Sequence, residues 1–270
     1  MVDHDVDINA VVGGYLRDLA IPSSFRVGTA GWSIARASAP RFDSAGSHLE
    51  RYARLLPVAE INSSFYRAHA RTTYERWAAA TPSSFRFSVK VPRVITHEHG
   101  LRNATSAFGR FLDETNGLGE RRGPLLLQLP PSLSLDASAA RRFFAMVRDG
   151  YAGPVACEPR HETWFRSTAS KLLLEYRISR VAADPARAPN GAEPGGWLGL
   201  RYFRWHGQPR VYWSSYDAVV LSSLVARLQA HAREAETWCI FDNTASGAAL
   251  VNAWQVMSAV DLARKPLNAK

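Results

Sequence analysis

Eight short apolar runs punctuate this chain, at residues 25–28, 58–61, 85–91, 124–129, 154–158, 180–184, 198–205 and 237–242. Seven of them are followed by a stretch whose apolar residues recur at helical spacing, at 47–56, 73–80, 106–116, 134–149, 165–176, 216–232 and 246–262. Strands alternating with helices predict a parallel sheet with helices packed outside it. Eight such units favour a closed TIM-type (β/α)8 barrel over an open doubly wound sheet, and no Gly-rich dinucleotide fingerprint follows the first run. The exception is the sixth run. After it, residues 185–196 are rich in Pro, Gly and Ala, so a loop is expected in place of the helix, either as a lid or as a simple substitute. One barrel domain is expected over residues 23–265, with residues 1–22 as an N-terminal extension.

The formal charge is +9, with a pI near 9.9, which turns attention to polyanions as partners. The basic residues are scattered, however. No run of five Lys or Arg occurs, and Arg51, Arg54, Arg141 and Arg142 fall in helical stretches, where a solvated face accounts for them. Cys157 and Cys239 each sit inside an apolar run and form no C-x-x-C pair. The first residues, Met1-Val2-Asp3-His4-Asp5, lack the basic start of a signal peptide, and no apolar stretch nears the roughly 18 residues of a membrane span. A soluble cytoplasmic protein with no membrane partner is expected; the oligomeric state is left open.

In a parallel barrel the C-terminal strand ends form the functional face. Here the runs after the first turn from apolar to polar at that end: Glu60 and Asn62, Lys90, Gln128, Glu158 and Arg160, Asp184, Arg204 and His206, Asp242 and Asn243. Seven coincidences are harder to dismiss than one. Glu60 and Asn62 lie two apart and share a strand face, as do Glu158 and Arg160. Each pair serves either as acid/base and orienting groups or as part of a buried ion-pair network. Arg204 leads into His206-Gly207 at the end of the seventh strand, where barrels often bind phosphate. Glu60, Glu158, Asp184, His206 and Asp242 are also ligand types that a hard divalent cation accepts, and His97-Glu98-His99 has a His-x-His spacing. The neighbouring Arg and Lys residues argue for ion pairing. No metal or other cofactor is therefore expected, with a divalent ion as the alternative. Lys90 is a candidate for an imine, with neutralisation of Glu60 as the alternative. Trp32, Phe65, Tyr66, Trp164, Trp205 and Tyr212 are candidates for a stacking surface at the mouth, with core packing as the alternative.

Several segments together resemble the DUF72 family, also described as YecE-like proteins. They are Gly28-Thr29-Ala30-Gly31-Trp32, Glu60-Ile61-Asn62-Ser63-Ser64-Phe65-Tyr66, Phe87-Ser88-Val89-Lys90 with Ile95-Thr96-His97, and Leu127-Gln128-Leu129-Pro130-Pro131. To these are added Glu158-Pro159-Arg160-His161 with Trp164, Arg204-Trp205-His206-Gly207, and Phe241-Asp242-Asn243-Thr244. The resemblance implies a TIM-type barrel and no particular reaction. Ala30 stands where the family often has serine, and the aromatic-proline element expected after Trp32 is poorly matched at residues 39–42.

The sequence thus predicts an enzyme, hydrolase- or lyase-like, acting by acid/base chemistry on a small phosphorylated or carboxylated substrate. Glu60, Glu158, His206 and Asp242 are the expected catalytic groups. Trp32, Asn62, Tyr66, Lys90, Gln128, Arg160, Arg204 and Asn243 are the expected substrate contacts. The alternatives are a nucleic-acid-binding or nuclease-like barrel and a non-catalytic binding or assembly module.

Overall fold

The computed structural model describes residues 25–264, so the expected N-terminal extension lies outside the described residues. The strands are β1 (Phe25–Ala30), β2 (Val58–Ile61), β3 (Arg86–Lys90), β4 (Arg122–Gln128), β5 (Val155–Glu158), β6 (Ile178–Arg180), β7 (Ala182–Asp184), β8 (Gly195–Gly196), β9 (Leu200–Trp205) and β10 (Glu236–Phe241). They form one sheet in the order β7-β9-β10-β1-β2-β3-β4-β5-β6-β8. Every pairing but one is parallel.

The expected sixth strand is two strands, broken at Val181. β6 pairs with β5, and β7 pairs with β9, so one stretch of chain hands the sheet from its fifth unit to its seventh. The ends of the sheet are thereby drawn together into a nearly closed barrel.

No helix follows β7, in line with the composition of residues 185–196. That segment returns as β8, antiparallel to β6, and is fastened by Ala183 N–H to Gly191 O (2.9 Å) and Arg180 Nη2 to Asn190 O (2.9 Å). It pairs along the free edge of β6. Gly196 is required here: its φ is +63°, and a Cβ would lie 2.6 Å from the Ile178 carbonyl oxygen.

The helices lie close to their expected positions, with ends shifted by one to three residues in most cases. Asp136 caps Ala137–Gly150 by accepting from Ser138 and Ala139 N–H, and Asp217 caps Ala218–Ala232 through Val220 N–H. The first expected helix, 47–56, is reduced to His48–Ala53, opened by a Ser47/Glu50 capping box.

Two apolar clusters follow from the period-two alternation of strand side chains. Val58, Leu126, Ala156, Leu200, Tyr202, Trp238 and Ile240 fill the barrel interior, and a larger cluster fills the space between sheet and helices. Trp164 and Trp205 belong to the larger cluster and are buried, which removes them from the expected stacking surface. Cys157 and Cys239 are both buried in the strands. Among the described residues, no helix is long and apolar enough to cross a membrane.

Candidate functional site

Alternation along β9 turns Tyr202 and Arg204 inward, and the neighbouring strands add Glu60, Ser88, Lys90, Gln128 and Glu158 at matching heights. Arg204 has no exposed surface and is the hub. It donates from Nη2 to Glu60 Oε1 (2.6 Å) and from Nε to Glu60 Oε2 (3.1 Å). It also donates from Nη1 to Glu158 Oε2 (2.6 Å) and from Nη2 to Asp242 Oδ2 (3.0 Å). Four of the five guanidinium N–H directions are thus spent on three carboxylates. Below this ring, the Tyr202 hydroxyl donates to Glu60 Oε2 (2.9 Å) and lies 2.8 Å from Ser88 Oγ.

The second Glu158 oxygen, Oε1, is also used. Glu158 accepts from Gln128 Nε2 (3.2 Å), Arg160 Nε (3.2 Å) and His206 Nε2 (3.1 Å), while His206 Nδ1 lies 3.1 Å from Asp242 Oδ2. An imidazole held between two carboxylates donates from both nitrogens, and so carries its second proton. Burial works against that charge. The Glu158 charge and the hydrogen bonds to Asp242 and Glu158 outweigh it and raise the His206 pKa. Burial likewise opposes ionisation of Glu158 and Asp242, but the Arg204 guanidinium, with His206, holds both below the usual carboxylate range.

Above the ring opens a cleft of about 520 Å³. Lys90, Arg93, His97 and Arg160 line it, and among the described residues Asp242 is the one carboxylate on its wall. Neutral polar lining comes from Asn62, Gln128 and Thr244, and aromatic lining from Phe65, Tyr66 and Tyr212. The Lys90 ammonium sits 4.2 Å from the centroid of the Phe65 ring. Burial, then the nearby Arg204 charge, depress its pKa to about 8, against the opposing pull of Glu60, Asp242 and Glu158. His97 rides on a single π-helical turn, Val94–Glu98, and packs edge-on to the same Phe65 ring at 4.9 Å. Burial, then Lys90 and Arg93, lower its pKa and keep it neutral near pH 7. Asn62 Oδ1 is buried without a hydrogen-bond partner among the described residues.

A family described as "Protein of unknown function DUF72" matches residues 26–270. The chain belongs to the DUF72 family. Among curated relatives, it is 29% identical over 151 residues to the UPF0759 protein YecE of Escherichia coli K12, a match covering 54% of this chain and 55% of YecE. It is 23% identical to the UPF0759 protein YunF of Bacillus subtilis 168, covering 87% of this chain and 94% of YunF. The chain therefore spans about half the length of YecE (55%) and nearly all of YunF. A DUF72 family protein of Enterococcus faecalis V583 has a similar structure, with TM-score 0.75 and 21% identity over 91% of this chain and 98% of that one. Another, from Thermotoga maritima MSB8, superposes with TM-score 0.73 and 22% identity over 88% and 99%. These likenesses show the barrel fold.

In this DUF72 chain the expected site residues divide into three groups. Asn62, Tyr66, Lys90, Gln128, Arg160 and Asp242 line the cleft. Glu60, Glu158, Arg204 and His206 lie outside that lining as an ion-pair floor, in which the polar atoms of Arg204 and Glu60, expected to grip and act on substrate, are engaged with one another and with their neighbours. Trp32 and Asn243 are absent from the lining. Trp32 packs edge-on to Trp77 (5.1 Å) and Phe87 (5.8 Å), and Asn243 Nδ2 donates to Ser214 O and Asn252 Oδ1 (both 2.9 Å). Asp184 accepts from the Tyr216 hydroxyl and Gln208 Nε2 (both 2.7 Å) and fixes the loop after β9. That loop places Tyr212 over the His206 ring at 5.7 Å, where its hydroxyl accepts from Arg160 Nη2 (3.0 Å).

His97 and His99 do not form a ligand pair: His97 faces the cleft and His99 is exposed. Among the described residues, no group of three or more His, Cys, Asp or Glu side chains is arranged to hold a metal ion. Ser88 and Tyr202 were missed by reading strand ends alone, though each lies two residues before a residue that was singled out, and hence on the same strand face.

Proposed function

We propose that this DUF72 protein binds a small phosphorylated or carboxylated molecule at the C-terminal mouth of its barrel and performs acid/base chemistry on it. The lining of the cleft carries this reading. Among the described residues, three cationic side chains, Lys90, Arg93 and Arg160, and the neutral His97 line the cleft beside Asp242, whose charge Arg204 and His206 already neutralise; Arg93 and Arg160 also pair with Glu98 (3.4 Å) and Glu158 (3.2 Å). Arg160 and Arg93 hold the anionic end, and Asn62 orients the remainder. Lys90 is the group that takes up and releases a proton near neutral pH. Glu60, Glu158 and Arg204 act as positioning residues that fix the floor.

The test is a thermal-shift panel of inorganic phosphate, small carboxylic acids, phosphorylated metabolites, short oligonucleotides and divalent cations. A ligand at 100 times its Kd adds about 2.7 kcal/mol to stability and raises the Tm. A small-anion shift that disappears in Arg160→Gln is the expected result. A response to oligonucleotides alone, weakening steeply with salt, would turn the reading to nucleic acid. No shift with any ligand would turn it to an assembly module.

A further inference from the structure

Lysine is scarce in this chain. Of its 33 Lys and Arg residues, four are lysine: Lys90, Lys171, Lys265 and Lys270. Where a fixed cation is needed in a buried ion pair, as at residues 160, 201 and 204, the sequence uses arginine. The exception is Lys90, a buried lysine on the cleft wall. Its ammonium makes no ion pair within 4.0 Å among the described residues and rests on the face of Phe65 instead. Arginine cannot lose its proton in a protein; lysine can, and a neutral amine with a free lone pair is a nucleophile. The side chain is fixed by an apolar ring, open to the cleft, and surrounded by groups that hold an anion.

We propose that Lys90 forms an imine with a small anionic carbonyl compound bound in this cleft, such as a 2-oxo acid or a keto phosphate. This deepens the small-anion reading and rests on it. Nζ of the neutral amine attacks the carbonyl carbon. A C–N bond forms as the C=O π pair moves onto oxygen, and a proton passes from nitrogen to oxygen to give the carbinolamine. The C–O bond then breaks while the nitrogen lone pair closes the C=N bond. The carbonyl oxygen and the two amine protons leave as one water molecule, with no change of oxidation state and no co-reactant. Lys90 gives up its proton to solvent before attack, and His97, neutral and packed against the same Phe65 ring, adds no second positive charge beside the amine. Asn62 Oδ1, the buried acceptor without a partner, faces a hydroxyl of the carbinolamine. Arg93 and Arg160 hold the carboxylate or phosphate, which selects anionic carbonyl compounds over neutral ones.

The experiment is reductive trapping. The full-length protein is incubated near neutral pH with pyruvate, dihydroxyacetone phosphate or acetone in the presence of cyanoborohydride, then analysed by intact mass and peptide mapping. Reduction of the imine leaves the protein heavier by the mass of the carbonyl compound less one oxygen. Modification at Lys90 by at least one of the two anionic probes, on the order of tenfold faster than at exposed Lys171, is expected. The two probes distinguish an oxo acid site from a keto phosphate site, and acetone should show a smaller preference for Lys90 over Lys171 than the preferred anionic probe does. Lys90→Met should lose the adduct, and mapping of the unmodified sequence locates it without relying on that variant. Modification confined to Lys171, the tails or the N-terminus would overturn the proposal. Binding of the same anions by thermal shift, read in parallel, separates the two claims. Binding without an adduct sinks the imine and leaves the anion site standing, whereas absence of both sinks both.

Discussion

Arg204 and Glu60 meet through two parallel hydrogen bonds, Nη2 to Oε1 at 2.6 Å and Nε to Oε2 at 3.1 Å, in a part of the barrel where neither side chain has exposed surface. The fork-to-fork geometry fixes both groups and leaves the rest of the guanidinium for Glu158 and Asp242. Desolvating charges costs several kcal/mol per ion, so the ring is tolerable because it is complete. Arg204→Met should therefore lower stability by about 3–5 kcal/mol, since three buried carboxylates lose their common partner. Urea denaturation measures this directly. An unchanged midpoint would mean that the ring is not a unit. Arg204→Lys should recover only part of the loss, because an ammonium cannot reproduce the paired contact to Glu60.

The same ring sets a pH dependence, with opposite signs for its acids and its histidine. Glu158 and Asp242 have folded-state pKa values below the ordinary range. Their contribution is thus fully present above the unfolded values of about 4.3 and 3.9, and is lost as pH falls through the folded ones. His206 has a raised folded-state pKa. Its contribution is present below about 6.5 and is lost as pH rises through the folded value. Denaturation midpoints should therefore fall on the acid side, and the His206 contribution should fade on the alkaline side. His206→Gln should flatten that alkaline component and leave the acid limb in place. An alkaline profile identical to that of the parent protein would remove His206 from the ring's electrostatics.

A third expectation concerns the entrance to the barrel wall rather than its charges. A Cβ on Gly28 would lie 2.0 Å from the Val58 carbonyl oxygen of the paired strand. Backbone cannot move aside there without breaking the β1–β2 ladder. Gly28→Ala should cost about 3 kcal/mol or more, seen as a large drop in Tm or failure to accumulate folded protein. A near-normal Tm would show that β1 and β2 can separate at this point.

The fold was legible because its signals are local and repeated. Apolar runs, helical spacing and caps such as Asp136 and Asp217 each act within a few residues of sequence. The break at Val181 was not legible, because it is fixed by which neighbour each half-strand pairs with, and those neighbours lie at residues 155–157 and 203–205. The site was legible as a set of polar strand ends, and several of them do meet. Their division into floor and wall was not. Glu60 and Lys90 look alike as strand-end ionisable residues, yet one is locked to Arg204 and Tyr202 while the other faces the cleft. That difference depends on height within the barrel and on the reach of Arg204 across it. Tyr212 enters the site from a loop whose path is set by Asp184, a contact spanning 32 residues at Tyr216.

Lys90 is where stability and function should pull apart. Its folded-state pKa is about 8, below the unfolded value of about 10.4. The folded protein therefore holds the ammonium less favourably than the unfolded chain does, a cost fully present below pH 8 that disappears as pH rises through the unfolded value. Lys90→Met keeps an unbranched apolar chain against Phe65 and removes the charge. It should raise stability near neutral pH by on the order of 1–3 kcal/mol, a gain that vanishes at strongly alkaline pH. The same substitution should abolish imine trapping and weaken the thermal shift given by small anions. A purely structural lysine would give the reverse, with a lower Tm at neutral pH and ligand shifts intact. Tm measured for both proteins across pH, with and without phosphate, distinguishes the two, and destabilisation by Lys90→Met at neutral pH would refute the view of Lys90 as a strained, functional amine.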